Sequence, residues 1–322
     1  MRELTVCTGK GAFSNGGDVQ DIKRFLQDGK ETLWLDIVDP GDDDIRLLRE
    51  DFHFHPLAIE DATHRHQRPK VDSYGHYYFV VFYCMSIDGD DGRISASPVY
   101  LFIGQHYLVT VHQGKIGQVQ ETLRRWRDPE SPLKNEVGAL IYALLDAIVD
   151  DYFPVMDQVA ERVEDLEEQI FANFDEMALQ SIFRLKKDLL NVRRVVTPER
   201  DVLNVMLRRE IPVFSQDDVT YLQDVYDHIV RITDTLDTYR DLLSSSLDSF
   251  LSVQSNRLNQ VVKVLTVTSI VLMSVTLVAG IYGMNFDNMP ELHWRYGYFW
   301  ALGLMAAISV GLVVLFRRIK WL

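Results

Sequence analysis

The most regular pattern in this chain of 322 residues is a pair of long apolar runs near its C-terminus. Residues 264–286 and 296–316 contain no Asp, Glu, Lys or Arg. Each run exceeds the roughly 20 residues that a helix needs to cross a hydrocarbon core of about 30 Å. A buried core hairpin of this length would normally keep a polar helix face. The pattern therefore predicts two transmembrane helices with a short connecting loop.

Basic residues flank the two predicted spans on the sides away from the loop. The loop side has one arginine beside two carboxylates, whereas the outer flanks contain Arg257, Lys263, Arg317, Arg318 and Lys320. Cytoplasmic flanks of membrane proteins carry an excess of Lys and Arg. We therefore predict a multi-pass protein of the inner or plasma membrane, with both termini in the cytoplasm and the loop 283–295 outside.

The first 135 residues have a mixed pattern that predicts a cytosolic α/β domain. Short runs rich in β-branched and aromatic residues predict strands at 33–38, 77–85, 99–103 and 107–111. Helical spacing of apolar residues predicts helices at 42–52, 56–61 and 116–127. A sheet covered by helices is the architecture expected of such a mixture.

From residue 136 onward the pattern predicts long helices at 136–171, 176–209 and 216 to the membrane, interrupted at Pro154, Pro198 and Pro212. The last helix has a heptad seam formed by Leu222, Val225, Ile229, Ile232, Leu236, Tyr239, Leu243, Phe250 and Val253. No helix breaker separates this seam from the first span. The predicted fold class is thus an α+β membrane protein, in which a cytosolic helical stalk, 136–258, continues into a two-helix transmembrane domain, 259–322.

Small and polar residues share one face of the first span. At 100° per residue, an arc of about 100° contains Asn259, Thr266, Ser269, Met273, Thr276 and Gly280. Such a stripe fits either helix packing or a pore lining. Two helices cannot enclose a water-filled path, so a pore would require a ring of subunits. Because neither span has a carboxylate, such a path favours an ion that keeps most of its water.

Composition removes several other classes of function. A net charge of −14 repels nucleic acid. Cys7 and Cys84 are far apart and form no CxxC motif. The chain has no GxxxxGK[ST], HExxH or GxSxG motif. We therefore expect neither nucleic-acid binding nor enzymatic catalysis.

The string Tyr282-Gly283-Met284-Asn285-Phe286, followed by Met289-Pro290-Glu291-Leu292 between two C-terminal spans, resembles the CorA family of magnesium channels. This resemblance implies a homopentamer in membrane lipid, with the long helix lining the pore. Gly283, Met284 and Asn285 would form a selectivity filter for hydrated Mg²⁺. The other implied pore positions are Thr276 and Met273 within the pore, Leu265 as a hydrophobic constriction and Asn259 as an inner polar ring. Ser274 stands where some relatives have a helix-kinking proline.

The same resemblance implies that cytosolic Mg²⁺ bound between subunits holds the channel shut. The regulatory carboxylate matches Asp224, and its partner from a neighbouring subunit matches Asp88. His228 follows Asp224 by four residues on the same helix face and is a candidate to support a metal there.

Two other sets of polar residues have alternative interpretations. Asp227, Asp234, Asp241 and Asp248 recur every seven residues opposite the heptad seam, as either a solvated face or a cation-attracting surface. The pairs His53/His55 and His64/His66 favour ordinary surface or capping histidines over a zinc site.

The sequence thus predicts a divalent metal channel for Mg²⁺ uptake, with Co²⁺ or Ni²⁺ as further substrates. A Zn²⁺ transporter of the same architecture is one alternative. A membrane-anchored cytosolic sensor that conducts nothing is another, and in that protein the polar stripe would be a packing surface only.

Overall fold

The fold divides into two compact units, Met1–Ser244 and Ser245–Leu322. The structure is a computed structural model. It describes residues 1–8, 12–15, 19–29, 31–63, 67–87, 93–172, 176–208, 211–285, 289 and 294–321.

The first unit contains a seven-stranded sheet of order β2-β1-β3-β7-β6-β5-β4. Its strands are β1 (Arg2–Cys7), β2 (Phe13–Asn15), β3 (Thr32–Val38), β4 (Lys70–Ser73), β5 (Tyr78–Ile87), β6 (Ile94–Ile103) and β7 (Tyr107–His112). Neighbouring strands are antiparallel except for β3 and β7, which pair in parallel at the centre. The four predicted strands are confirmed as β3, β5, β6 and β7. Strands β1, β2 and β4 were not predicted: β2 and β4 are only three and four residues long, whereas the six-residue β1 lies inside the sheet between β2 and β3.

Nine helices lie within the described residues. They are α1 (Val19–Asp28), α2 (Asp42–Glu50), α3 (Pro56–Thr63), α4 (Gly117–Arg127), α5 (Val137–Asp150), α6 (Tyr152–Ala172), α7 (Glu176–Arg208), α8 (Gln216–Tyr282) and α9 (Gly297–Arg318). The three helices predicted in the N-terminal part are confirmed as α2, α3 and α4. Helix α8 has 67 residues, so its length is about 100 Å at 1.5 Å per residue.

Two predicted helix boundaries were wrong. The single helix expected at 136–171 is divided at Asp151 into α5 and α6, and Pro154 lies in the first turn of α6, where a proline fits. Pro198 lies inside α7 and does not interrupt it. The proline removes one backbone hydrogen bond, but the side chains of Val196 and Val202 around it are buried. Burial of this helix face therefore outweighs the tendency of proline to interrupt a helix.

The heptad seam of α8 is confirmed as its packing face. Seven of the nine predicted seam side chains are buried: Leu222, Val225, Ile229, Ile232, Leu236, Leu243 and Phe250. In contrast, the aspartates at 227, 234, 241 and 248 are all exposed. These aspartates thus form a solvated face in the single chain.

A fully buried carboxyl group links the sheet to two helices. Glu199 of α7 accepts a hydrogen bond from the Tyr83 backbone N–H at 2.8 Å, and both its oxygens lie 3.1 Å from the Tyr152 hydroxyl oxygen. The Tyr152 hydroxyl also lies 2.5 Å from the Tyr83 carbonyl oxygen. Its single proton therefore faces three acceptors. A proton on Glu199 supplies the missing donor, and burial correspondingly raises the pKa of Glu199 well above its ordinary value.

This arrangement predicts that the stability of the fold decreases as pH rises above the ordinary carboxyl pKa of about 4.3. Between that value and the raised pKa of Glu199, the unfolded chain releases a proton that the folded chain retains. Each pH unit in this window costs up to about 1.4 kcal/mol. Glu199→Gln imitates the protonated acid, so between pH 5 and 8 the Tm of the wild type should fall relative to this variant. Glu161→Gln, at an exposed site on α6, is the control, and a parallel pH dependence of wild type and Glu199→Gln would contradict the assignment.

Candidate functional site

Helices α5 and α8 run alongside each other in the same direction within the first unit. The rings of Tyr142 and Tyr221 stack with centroids 4.9 Å apart, and further along both helices Asp150 approaches His228. Residue numbers therefore rise together along both helices. This parallel arrangement places side chains one turn apart on α5 opposite side chains one turn apart on α8.

Four ionisable side chains meet where the two helices face each other, and we call them the acidic cluster: Asp146, Asp150, Asp224 and His228. His228 Nδ1 lies 3.2 Å from Asp150 Oδ1, and His228 Nε2 lies 3.9 Å from Asp224 Oδ2. Ligand atoms of Asp146, Asp150 and His228 all lie within 4.8 Å of one another. One cation can therefore contact both helices at this point.

Electrostatics in the acidic cluster favour a cation. Burial raises the pKa of Asp146, and the neighbouring carboxylates of Asp150 and Asp224 raise it further. The Nδ1 atom of His228 is buried and lies 3.2 Å from Asp150 Oδ1, but it makes no hydrogen bond of regular geometry with the described residues. Buried polar atoms usually have a hydrogen-bond partner. Carboxylate oxygens suit Mg²⁺, whereas the imidazole nitrogen also suits Co²⁺, Ni²⁺ and Zn²⁺, so the donors fit a divalent metal.

The structure brings together only part of the regulatory site expected from sequence. Asp224 and His228 lie in one cluster, as their spacing predicts, whereas Asp88 lies outside the described residues. Asp146 and Asp150 were not predicted as partners of His228. Their spacing of four residues on α5 was the available signal, but only the packing of α5 beside α8 gives it meaning.

In the first of the two His-x-His pairs, His55 has a local structural role, whereas the side chain of His53 is exposed. His55 lies just before α3, where its Nδ1 accepts a hydrogen bond from the Leu57 N–H at 3.2 Å. Its ring also stacks on Tyr74 at 5.2 Å. These contacts fit the interpretation as capping histidines, while His64 and His66 lie outside the described residues.

The membrane part of α8 has one covered face and one exposed face within the single subunit. Val267 is 4% exposed, whereas Leu265 and Met273 are 65% and 71% exposed. Ser269, Thr276 and Gly280 are also exposed, as is Asn259 before the span, and Thr266 lies at the edge of this face. The predicted polar stripe is thus left uncovered by its own subunit, whereas Ser274 lies near the covered face.

Hydroxyl groups along this stripe are arranged as acceptors. Thr266 and Thr276 each donate their hydroxyl proton to the backbone carbonyl four residues earlier, at 2.8 Å. A hydroxyl whose proton is committed in this way still has lone pairs. The outer face of a hydrated cation consists of water hydrogens, so such oxygens can accept hydrogen bonds from the water shell.

The Gly-Met-Asn segment follows directly on α8. The helix ends at Tyr282, and the Gly283 N–H donates to the Ala279 carbonyl at 2.9 Å. Met284 and Asn285 are exposed. The described part of the loop thus begins at the end of the helix that carries the polar stripe.

Two helices in the described part of the chain are long and apolar enough to span a membrane, α8 and α9, with mean hydropathies of 2.3 and 2.4 in their most apolar windows. Those windows are only 6% and 11% buried, in contrast to the core helices of soluble proteins. This low burial fits helices that lie in lipid.

Comparisons with known proteins agree with this architecture. The family model for CorA-like Mg²⁺ transporter proteins matches residues 29–318. The cobalt/magnesium transport protein CorA of Thermotoga maritima is 37% identical over 308 residues, which cover 95% of this chain and 87% of that protein. The putative metal ion transporter YfjQ of Bacillus subtilis is 35% identical over 300 residues, with 93% of each protein covered. The complete structure of the CorA magnesium transporter from Methanocaldococcus jannaschii superposes with a TM-score of 0.86 at 22% identity, covering 100% of this chain and 99% of that chain.

The family model and the two relatives place this chain in the class of membrane transporters of divalent metal ions. More particularly, the chain belongs to the CorA family. The fold class and the family predicted from the Gly-Met-Asn string are thereby confirmed.

The acidic cluster predicts that divalent ions protect the fold through Asp224. Removing one carboxylate from the cluster should raise the Mg²⁺ concentration for half-maximal protection from protease about tenfold, which corresponds to about 1.4 kcal/mol. Asp224→Asn is the test, and Asp234→Asn is the matched control because Asp234 is an exposed aspartate on the same helix. Equal shifts in the two variants would mean that protection by Mg²⁺ depends on the total charge alone.

Proposed function

We propose that this protein is a homopentameric channel for Mg²⁺ uptake in the inner or plasma membrane, with its termini in the cytoplasm. The observation that carries the proposal is the uncovered stripe of acceptors on α8, which leads to Asn285 without a carboxylate in either span. Five copies of this face around an axis would line a path for hydrated ions. Co²⁺ and Ni²⁺ are further substrates of the proposed path.

The proposed path selects by hydration. Mg²⁺ dehydrates reluctantly and keeps octahedral geometry. The side-chain carbonyl of Asn285 and the oxygens of Thr276 and Thr266 can accept hydrogen bonds from its water shell without holding the ion. A membrane potential of 100 mV supplies about 4.6 kcal/mol for a divalent ion, from about 2.3 kcal/mol per charge.

Ion flux into liposomes that contain the purified protein tests the transported metal. Mg²⁺ flux above Zn²⁺ flux is expected, because the proposed path offers Zn²⁺ no histidine nitrogen or cysteine thiolate as a ligand. Zn²⁺ flux alone would instead favour the zinc alternative. No flux of any divalent ion would favour the non-conducting sensor.

The filter proposal predicts that Asn285→Ala abolishes Mg²⁺ flux and leaves assembly intact. Alanine removes the amide carbonyl that would accept hydrogen bonds from the hydrated ion. Asn256→Ala, at an exposed position on α8 away from the stripe, is the matched control and should conduct normally. Wild-type flux through a well-assembled Asn285→Ala channel would rule out Asn285 as the filter ligand.

The constriction proposal predicts a leak when Leu265 becomes polar. Apolar rings gate by excluding water, so Leu265→Ser should raise resting Mg²⁺ flux severalfold even at high internal Mg²⁺. Leu302→Ser makes the same change at an exposed position on α9, outside the proposed pore lining, and is the matched control. If Leu265→Ser adds no leak, the gate lies elsewhere, and Met273 is the next residue to test.

The proposed channel is regulated by internal Mg²⁺. Internal Mg²⁺ bound at Asp224, with Asp88 of a neighbouring subunit, would hold the ring closed by neutralising facing carboxylates. The acidic cluster extends this site within one subunit, because Asp146 and Asp150 bring further negative charge to His228. Asp224→Ala or Asp224→Lys should therefore keep conduction and weaken inhibition by internal Mg²⁺. Loss of conduction in these variants would show that Asp224 is not a sensor.

A further inference from the structure

A cavity of about 450 Å³ lies at one end of the central strands of the sheet. The parallel strands β3 and β7 both end here, and Asp39 and Gly114 follow them in the lining. Strand β6 runs the opposite way and extends beyond the end of β7, because it begins at Ile94 and first pairs with β7 at Val99. In open α/β sheets, ligands bind in the crevice outside the carboxyl ends of parallel strands.

The lining of this cavity is mostly uncharged. Strands β5 and β6 contribute Tyr83, Ala96, Ser97 and Pro98, and the last residues of α3 form another part of the wall. The carboxylate of Asp39 is the only charged group among the described residues of the lining. Sites for small organic molecules have volumes of roughly 300–1,000 Å³ and a mainly apolar lining with a few polar groups. The cavity therefore has the size and composition of such a site.

The carboxylate of Asp39 is held in place by the loop after β7. Its Oδ1 atom accepts a hydrogen bond from the Gly114 N–H at 3.0 Å, and the Asp39 N–H donates to the His112 carbonyl at 2.9 Å. The Gly114 carbonyl oxygen lies 2.7 Å from Nδ1 of His112, whose Nε2 lies 3.1 Å from Oδ1 of Asp36. Asp36 and His112 are both buried. Because this support already fixes the carboxylate, a ligand does not have to order it on binding.

The polar groups at this cavity favour a cationic ligand. The Tyr83 hydroxyl donates its proton to the Gln67 carbonyl, so its oxygen offers lone pairs only. The Asp39 carboxylate is likewise an acceptor. The rings of Tyr83 and Tyr100 are also part of the lining, and aromatic rings attract organic cations. A ligand that matches these groups has a positive charge, hydrogen-bond donors and an apolar part that fits against Pro98.

An alkylammonium ion fits these features better than a metal ion does. Divalent ions in protein sites take several ligands in a defined geometry, whereas a single carboxylate lines this cavity. In the described part of the chain, metal ligands of suitable type meet in the acidic cluster instead. A primary ammonium group needs only acceptors for its N–H bonds. The alkyl chain behind it would fill the remaining volume and remove apolar surface from water.

We propose that this cavity binds an alkylammonium ion, with the charged head at Asp39 and the chain against Pro98 and Tyr100. Aliphatic diamines and polyamines belong to this chemical class. The cavity shares no lining residue with the acidic cluster or with the proposed ion path. The inference is therefore independent of the proposed Mg²⁺ transport, and the two can fail separately.

Calorimetric titration of the full-length protein in detergent with putrescine, an aliphatic diamine, tests the inference. We expect one saturable site per chain. Asp39→Asn keeps the size of the side chain, and Asn also tolerates the left-handed φ of 51° at this position. Loss of the charge-assisted hydrogen bond should raise the Kd at least about tenfold. Ala96→Leu fills the cavity from an exposed position of β6 and should weaken binding as well.

Asp42→Asn is the matched control, because it removes the same charge at an exposed site outside the lining. Equal binding by wild type, Asp39→Asn and Asp42→Asn would mean that the diamine only screens the negative charge of the chain. Equal binding of the neutral butanediol of the same chain length would overturn the ammonium assignment. Mg²⁺ binding that depends on Asp39 and excludes putrescine would make the cavity a metal site, and absence of saturable putrescine binding would also overturn the inference. If Asp39→Asn does not fold, wild-type binding by Ala96→Leu would overturn it.

Discussion

The uninterrupted backbone hydrogen bonding of α8 is the constraint on which the rest of the structure depends. A chain that enters lipid must satisfy its backbone N–H and C=O groups internally, and a helix does so without help from neighbours. Because α8 runs from Gln216 to Tyr282 without a break, one element contains the packing seam, the acidic cluster's Asp224 and His228, and the polar stripe.

Carboxylates and uncharged oxygen atoms occupy different segments of this helix. Carboxylates gather in the acidic cluster, where a cation would be held in the proposed regulation, and are absent from both spans. A bound ion there would offset the repulsion between the carboxylates, which together with burial raises the pKa of Asp146. Uncharged oxygens along the proposed path attract water-coated ions weakly, which permits release. The proposed binding site and the proposed ion path thus belong to different segments of one helix.

The N-terminal unit supplies the fixed surface against which α8 is positioned. Its sheet is joined to α6 and α7 through the buried carboxyl of Glu199, and α5 meets α8 where the side chain of Asp218 lies against Gly138. Both contacts depend on close approach in a dry interior, where an unpaired polar group is expensive. They therefore depend on packing and hydrogen bonds alone, in contrast to the acidic cluster, where the proposed ion would offset the repulsion between carboxylates.

Much of this protein follows from its sequence by itself. Uncharged runs of 23 and 21 residues determine the spans, a period of seven determines the buried face of α8, and the string at Gly283 indicates the family. These signals are local, so each is recognisable without knowing which distant segments of the chain contact one another. Only the tertiary structure decided the parallel pairing of β3 with β7, the passage of α7 through Pro198 and the meeting of Asp146 and Asp150 with His228. Each of these depends on contacts between segments that are distant in sequence. Burial at such contacts outweighs the secondary-structure preference of individual residues, and no periodic pattern in the sequence reports it.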